Sequence, residues 1–158
     1  MSDRNMGQNS VTEMLKEDHK EVNALFQNYE GADAENRDRL VHEIIESLTK
    51  HSRVEEQVLY PFIRAEVPEG EQLMDESERE HQEAKEAMAR LRELSPTDPA
   101  FDDAFQALRD GVQHHVEEEE SEVFPKLTQA VGDEALVELG SRLAQAKALS
   151  PQTPRPPS

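Results

Sequence analysis

The chain has 158 residues, enough for one domain with a hydrophobic core, and its lack of cysteine excludes disulfides, thiolate catalysis and iron–sulfur clusters. Its 35 acidic residues against 17 lysines and arginines give a formal net charge of −18, which argues against nucleic acids and membrane surfaces as partners because both are anionic. The sequence shows neither a signal peptide nor the run of roughly 18 apolar residues that a membrane span requires, so we expect a cytoplasmic protein.

The first two predicted helices are marked by apolar residues at helical spacing and by capping residues at their starts. Ser10 and Glu13 form a capping box before the first helix, and Gly31 closes that helix. Asp33 is the expected cap of the second helix, which continues to a break at Pro68. Both segments therefore have the character of long amphipathic helices.

The remaining predicted helices follow the same pattern. The third ends at the linker of residues 95–99, and Asp98 before Pro99 is a typical cap and first turn for the fourth. Asp133 begins a shorter fifth helix. Prolines crowd the last residues of the chain, which predicts a disordered tail.

Together these segments predict an all-α fold, an antiparallel up-and-down four-helix bundle with an additional short C-terminal helix packed across one end. The composition agrees, because the strong helix formers Glu, Ala, Leu, Lys, Arg and Gln dominate it. We expect the bundle to occupy residues 10–148, between disordered segments at 1–9 and 149–158.

Polar residues interrupt each of the four long apolar stripes where the helical period calls for an apolar side chain. A buried histidine or glutamate without a partner costs several kcal/mol, so these residues must be paired, hydrogen-bonded or bound to a metal. The interrupting residues are His19 in the first helix, His51 and Glu55 in the second, His81 in the third, and His115 and Glu119 in the fourth.

The interruptions form an internal repeat. The His-x-x-x-Glu pair and the proline after it recur 64 residues later, and the lone histidine recurs 62 residues later. Two hairpins related in this way bring four imidazoles and two carboxylates to one level of the bundle, since residues four apart share a helix face. Imidazole suits first-row transition metals and a carboxylate can bridge two cations. The set therefore predicts two metal ions, each with two terminal histidines, bridged by two glutamates and with an open position.

At this point the sequence resembles the hemerythrin-like, or HHE cation-binding, domain family, whose pattern is H…HxxxE…H…HxxxE on a four-helix bundle. The resemblance covers roughly residues 10–130 and implies a non-heme di-iron centre. Oxygen-carrying hemerythrins have a second histidine four residues from the first on the third helix, whereas the positions four away from His81 are Ser77 and Lys85. The resemblance therefore implies reaction with peroxide, O₂ or NO rather than reversible O₂ carriage.

Two iron ions with an oxo or hydroxo bridge are the expected cofactor, in preference to zinc or manganese, because six ligands with two carboxylates exceed a tetrahedral zinc site. The expected partner is a small molecule, namely O₂, peroxide or NO. The alternative function is a non-catalytic module that senses iron or oxygen or buffers iron.

Several other residues near the pattern are expected to lie outside the site. His42 and His114 also precede a glutamate by four residues, but both stand off the apolar stripe, so His115 and not His114 is the predicted ligand. The acidic neighbours of Glu119, including Glu118 and Glu120, are expected on a solvated face. Tyr60 could act as a radical or proton donor, but its place beside a proline favours a helix-boundary tyrosine.

Overall fold

The structure is a computed structural model that describes residues 10–149, and within that range it contains helices and short connections but no strand. The segments expected to be disordered, 1–9 and the tail from residue 150, lie outside the described residues. The helices are α1 Val11–Glu30, α2 Ala34–Val54, α3 Tyr60–Glu66, α4 Gly70–Glu93, α5 Pro99–Glu118, α6 Phe124–Ala130 and α7 Asp133–Leu149. No helix of residues 10–149 is long and apolar enough to cross a membrane.

The predicted helix starts are confirmed by hydrogen bonds from backbone amides to side chains. Ser10 Oγ accepts from the Glu13 amide at the start of α1. Asp33 and Asp98 do the same one turn into α2 and α5, with N···O distances of 2.9 Å in both helices. Each cap satisfies an amide that has no partner within its own helix.

Short π-helical turns join α2 to α3 and α5 to α6, so each pair forms one long, continuous helical segment. The turns span Glu55–Leu59 and Glu119–Val123, and each begins at the repeated glutamate. Both precede a proline, which cannot donate an α-helical hydrogen bond and whose ring clashes with the carbonyl four residues earlier. The wider turn accommodates this proline without ending the helix, and such turns are frequent at functional sites.

The four long segments form the predicted antiparallel bundle, and α7 packs against α1 and against the turn that follows α2. The connection into α4 is tight: Glu69 has a left-handed backbone with φ of 64°, and the backbone at Gly70 lies so near α3 that a Cβ would be 2.1 Å from the Ile63 carbonyl oxygen. Glycine is therefore required at this crossing.

The apolar core consists of two clusters separated along the bundle axis. One includes Leu15, Ile63 and Leu127 and is covered by α7, and the other includes Phe26, Ile44 and Phe105. The polar interruptions lie between the two clusters, so apolar side chains shield them from water on both sides.

Candidate metal centre

The structure brings all six predicted site residues together in the middle of the bundle. Glu55 and Glu119 are fully buried, and none of the four histidines is more than 9% exposed. The two hairpins contribute equally, with one histidine from α1 or α4 and one His-x-x-x-Glu pair from the end of α2 or α5. The internal repeat of the sequence is thus also a structural repeat.

Each of the two buried carboxylates lies between imidazoles of both hairpins. A carboxylate in that position can bridge two cations, one held by each pair of histidines. The Nε2···O distances are 3.3 Å for His51–Glu55, 3.2 Å for His81–Glu55, 3.0 Å for His19–Glu119 and 3.4 Å for His115–Glu119. The ligand atoms form two overlapping groups, each within 4.8 Å: His19, His51, Glu55 and Glu119, and Glu55, His81 and His115.

Three polar atoms at the centre are buried and make no hydrogen bond: His51 Nε2, His115 Nε2 and Glu55 Oε2. Leaving such atoms unpaired costs about 1–3 kcal/mol each, and more where charge is involved. All three are nitrogen or oxygen donors of the kind that bind transition metals, and they face one another. The residues therefore fit a metal ion.

The electrostatics of the centre also call for a cation. Burial by itself lowers the pKa of His51, but the carboxylates of Glu55 and Asp18 outweigh burial and raise that pKa to about 10. Burial likewise opposes the charged form of Glu55, yet His51 and its neighbours hold the pKa of the Glu55 carboxyl well below its usual range. Protons on the imidazoles compensate the buried carboxylates here, and a metal ion would displace them.

An outer set of carboxylates, not predicted from the sequence, orients the four imidazoles. Each histidine donates its Nδ1–H to one carboxylate, which fixes the ring and turns the Nε2 lone pair towards the centre, the usual arrangement around metal-binding histidines. The Nδ1···O distances are 3.1 Å for His51–Asp18, 2.7 Å for His115–Glu80, 2.7 Å for His81–Glu56 and 2.6 Å for His19–Glu120.

The outer carboxylates obey the same repeat as the ligands. Asp18 and Glu80 each precede a lone histidine, and Glu56 and Glu120 each follow a bridging glutamate. That regularity was the available signal: an acid beside every lone ligand at the same shift of 62 or 64 residues. The expectation of a solvated Glu120 was wrong, because its carboxylate accepts from His19.

Tyr60 is also part of the site, and the expectation of a boundary residue was wrong. Its side chain is 1% exposed, and its hydroxyl lies 3.0 Å from His81 Nε2, 3.3 Å from Glu55 Oε1 and 3.4 Å from Glu119 Oε2. Burial, followed by these two carboxylates, raises the Tyr60 pKa well above its ordinary value, so the phenol keeps its proton.

A small cavity of about 30 Å³ adjoins the imidazoles on the side away from Tyr60's aliphatic neighbours. Its walls combine site histidines with apolar side chains, including Val22, Leu48, Ala84 and Val112. That volume holds about two water-sized atoms, since one such position needs roughly 10–15 Å³. The cavity therefore suits molecules the size of O₂, NO or hydrogen peroxide.

The residues expected outside the centre lie outside it. His42 is exposed, and the His114 side chain is 62% exposed and contacts Glu80 and Glu118 instead of the buried carboxylates. Lys85 sits at the rim, 3.6 Å from Glu56 Oε1. The hydrogen bond with Glu80 raises the pKa of Glu118 to about 7.

The sequence model of the family described as "Hemerythrin HHE cation binding domain" matches residues 10–127. The chain belongs to this family. The solved structure of a hemerythrin HHE cation binding domain-containing protein from Mycobacterium kansasii has a TM-score of 0.77 with this hemerythrin-like chain, at 25% identity and 88% coverage of both chains. The predicted fold and the stated resemblance are confirmed, and the buried cluster gives this HHE domain the means to bind metal.

Two curated relatives extend the comparison. A Nostoc protein named a DNA nickase is 30% identical over 139 residues, 87% of this chain but only 39% of the Nostoc protein. An uncharacterized hemerythrin-like protein of Schizosaccharomyces pombe is 26% identical over 148 residues, 92% of this chain and 73% of the relative. This hemerythrin-like chain thus spans well under half of the Nostoc protein.

Proposed function

We propose that this HHE domain holds two iron ions and reacts with a small oxidant (hydrogen peroxide, O₂ or NO) instead of carrying O₂ reversibly. The observation that carries the proposal is the position of Glu55 and Glu119, each between imidazoles of both hairpins. His19 and His51 would hold one ion and the second hairpin's two histidines the other, with the glutamates shared.

Iron is proposed over zinc because of the donor set. Four imidazoles and two carboxylates supply more ligands than two tetrahedral zinc ions would share comfortably, and they suit ions that prefer higher coordination numbers. Bound iron would supply redox chemistry and an open position for a small molecule.

The chain's own residues provide the remaining functions. The Tyr60 hydroxyl holds a proton within 3.4 Å of both bridging carboxylates and is placed to deliver it to a molecule reduced at the centre. The outer carboxylates keep the imidazole rings in one orientation. The apolar clusters on either side exclude bulk water, and the cavity limits access to molecules of about two heavy atoms.

Ser77 supports reaction over carriage. It occupies a position where an oxygen carrier would have a further histidine, and its hydroxyl hydrogen-bonds with Tyr60. A proton donor beside the centre favours reduction of a bound oxidant over its release unchanged. The DNA nicking named for the Nostoc relative is not proposed for this chain, because its net charge of −18 repels phosphate backbones.

Metal analysis and rapid mixing test the proposal. Protein purified without chelators or immobilised-metal resin is expected to contain two iron ions per chain. Anaerobically reduced protein is then mixed with H₂O₂, O₂ or NO in a stopped-flow instrument while oxidation of the centre is followed by absorbance. Repeated turnover with one oxidant supports an enzyme, whereas a single oxidation without turnover supports the sensing or buffering module. Protein that folds stably and takes up no iron would refute the metal centre.

A further inference from the structure

A second cluster of metal-binding side chains lies at the edge of the centre, formed by Glu80, His114 and Glu118. His114 Nε2 is 3.4 Å from Glu80 Oε2 and 3.2 Å from Glu118 Oε1. One ligand atom from each residue lies within 4.8 Å of the other two. One imidazole nitrogen and two carboxylate oxygens are donors that divalent first-row metals accept.

Glu80 shows that this cluster lacks a cation. Glu80 is 8% exposed, and its two oxygens have different surroundings. Oε1 accepts from His115 Nδ1 at 2.7 Å, whereas Oε2 is buried, makes no hydrogen bond and faces His114. A buried carboxylate oxygen without a hydrogen bond is costly unless a cation neutralises it.

The internal repeat offers a direct comparison. Asp18 occupies the equivalent position in the first hairpin, and its second oxygen, Oδ1, pairs with the Lys147 ammonium at 2.5 Å. Among the described residues no lysine or arginine is placed against Glu80 in this way. Where the first hairpin has an ammonium group, the second hairpin has a further carboxylate, Glu118, and an exposed imidazole.

We propose that Glu80, His114 and Glu118 form a third, peripheral site for a divalent transition-metal ion, outside the buried pair. Glu80 Oε2, His114 Nε2 and a Glu118 oxygen supply three ligands, and water completes the shell because His114 is open to solvent. Exposure makes this ion exchangeable and more weakly held than the buried ones. Glu80 is shared, so an ion on Oε2 contacts the same carboxylate that orients His115.

Counting zinc ions in matched variants tests the site. Metal-free protein is dialysed against Zn²⁺ at neutral pH, and bound zinc is measured for wild type, His114→Ala and Glu118→Gln, with circular dichroism to verify folding. We expect each variant to bind one equivalent less than wild type, with at least a ten-fold weaker third affinity. His42→Ala is the control, because His42 is another exposed histidine four residues before a glutamate. It should bind as much zinc as wild type.

The test separates this proposal from that of the buried centre, on whose residues it does not depend. Three equivalents in wild type and two in His114→Ala support both sites, whereas one and none support the peripheral site alone. Equal zinc in wild type, His114→Ala and Glu118→Gln would overturn the peripheral site and leave His114 as a simple ion-pair partner. Iron-loaded protein gives a second measurement, in which wild type should take up one added zinc and His114→Ala none.

Discussion

Replacing Tyr60 with phenylalanine tests whether the centre uses a proton donor. The substitution removes one buried hydroxyl and keeps the ring, which stacks on His81 with centroids 5.2 Å apart. The repeat indicates that the shape is tolerated, because Phe124 holds the equivalent place and stacks on His19. A positioned general acid contributes a factor of about 10²–10⁴ to a rate. We therefore expect the single-turnover reaction with hydrogen peroxide to slow by at least about 100-fold, with iron content unchanged.

Tyr29→Phe is the matched control for this prediction. Tyr29 is the other tyrosine of the chain, is equally buried, and donates one hydrogen bond to Asp102 at 3.1 Å, far from the centre. Both variants should lose about 1 kcal/mol of unfolding free energy, the usual net value of one hydrogen bond. Only Tyr60→Phe should react more slowly in the stopped-flow assay. Reaction within two-fold of wild type would refute the role of the Tyr60 hydroxyl.

Three further predictions concern the ligands, the pH dependence and the backbone. Glu119→Gln removes a charge that both ions share, so iron per chain should fall from two to below one, whereas Glu117→Gln, exposed on the same helix, should keep two by elemental analysis. The folded-state pKa of His51, about 10, exceeds its unfolded value near 6.5, so this histidine stabilises the metal-free fold below pH 6.5 and the unfolding free energy should fall as pH rises towards 10 in urea titrations. Gly70→Ala should cost about 1–3 kcal/mol in thermal unfolding because its Cβ has no room, whereas Gly111→Ala, mid-helix with open space, should gain up to about 1 kcal/mol; equal effects would contradict the packing at Gly70.

The helices could be predicted because their signals are local. Ser10, Asp33 and Asp98 cap the helices that follow them, and each apolar stripe faces the core as its period requires. The buried ligands were visible for the same reason, since each replaces an apolar residue on a stripe. Their arrangement around shared carboxylates followed from the repeat, which relates the two hairpins by symmetry.

The residues that sequence reasoning missed depend on how neighbouring helices pack. Glu120 is one residue from Glu119 and therefore points about 100° away along a regular helix, which is the solvated direction by periodicity alone. Its contact with His19 exists because α1 packs beside that face. A helical period gives the direction of a side chain from its own axis, but not which helix lies in that direction.

Tyr60 was missed because the proline after it was taken to mark a boundary. In a regular α-helix, residues five apart point about 140° from each other, so Tyr60 and Glu55 would face different sides. The π turn makes hydrogen bonds five residues apart, as from the Tyr60 amide to the Glu55 carbonyl, and it rotates these two side chains onto nearly the same side. The proline that suggested an end instead accompanies the turn that brings Tyr60 into the centre.

The repeat makes the two halves of the centre alike in ligands but not in surroundings. The first hairpin's histidines are flanked by the Phe124 ring and by an outer carboxylate that Lys147 neutralises. The second hairpin's histidines are flanked by the Tyr60 hydroxyl and by Glu80, whose outer oxygen has no hydrogen bond. Proton delivery and exchange with an outer cation are therefore both directed to the half that contains His81 and His115. Two ions held by equivalent ligands would consequently differ in reactivity, because their neighbours differ in the ability to supply a proton.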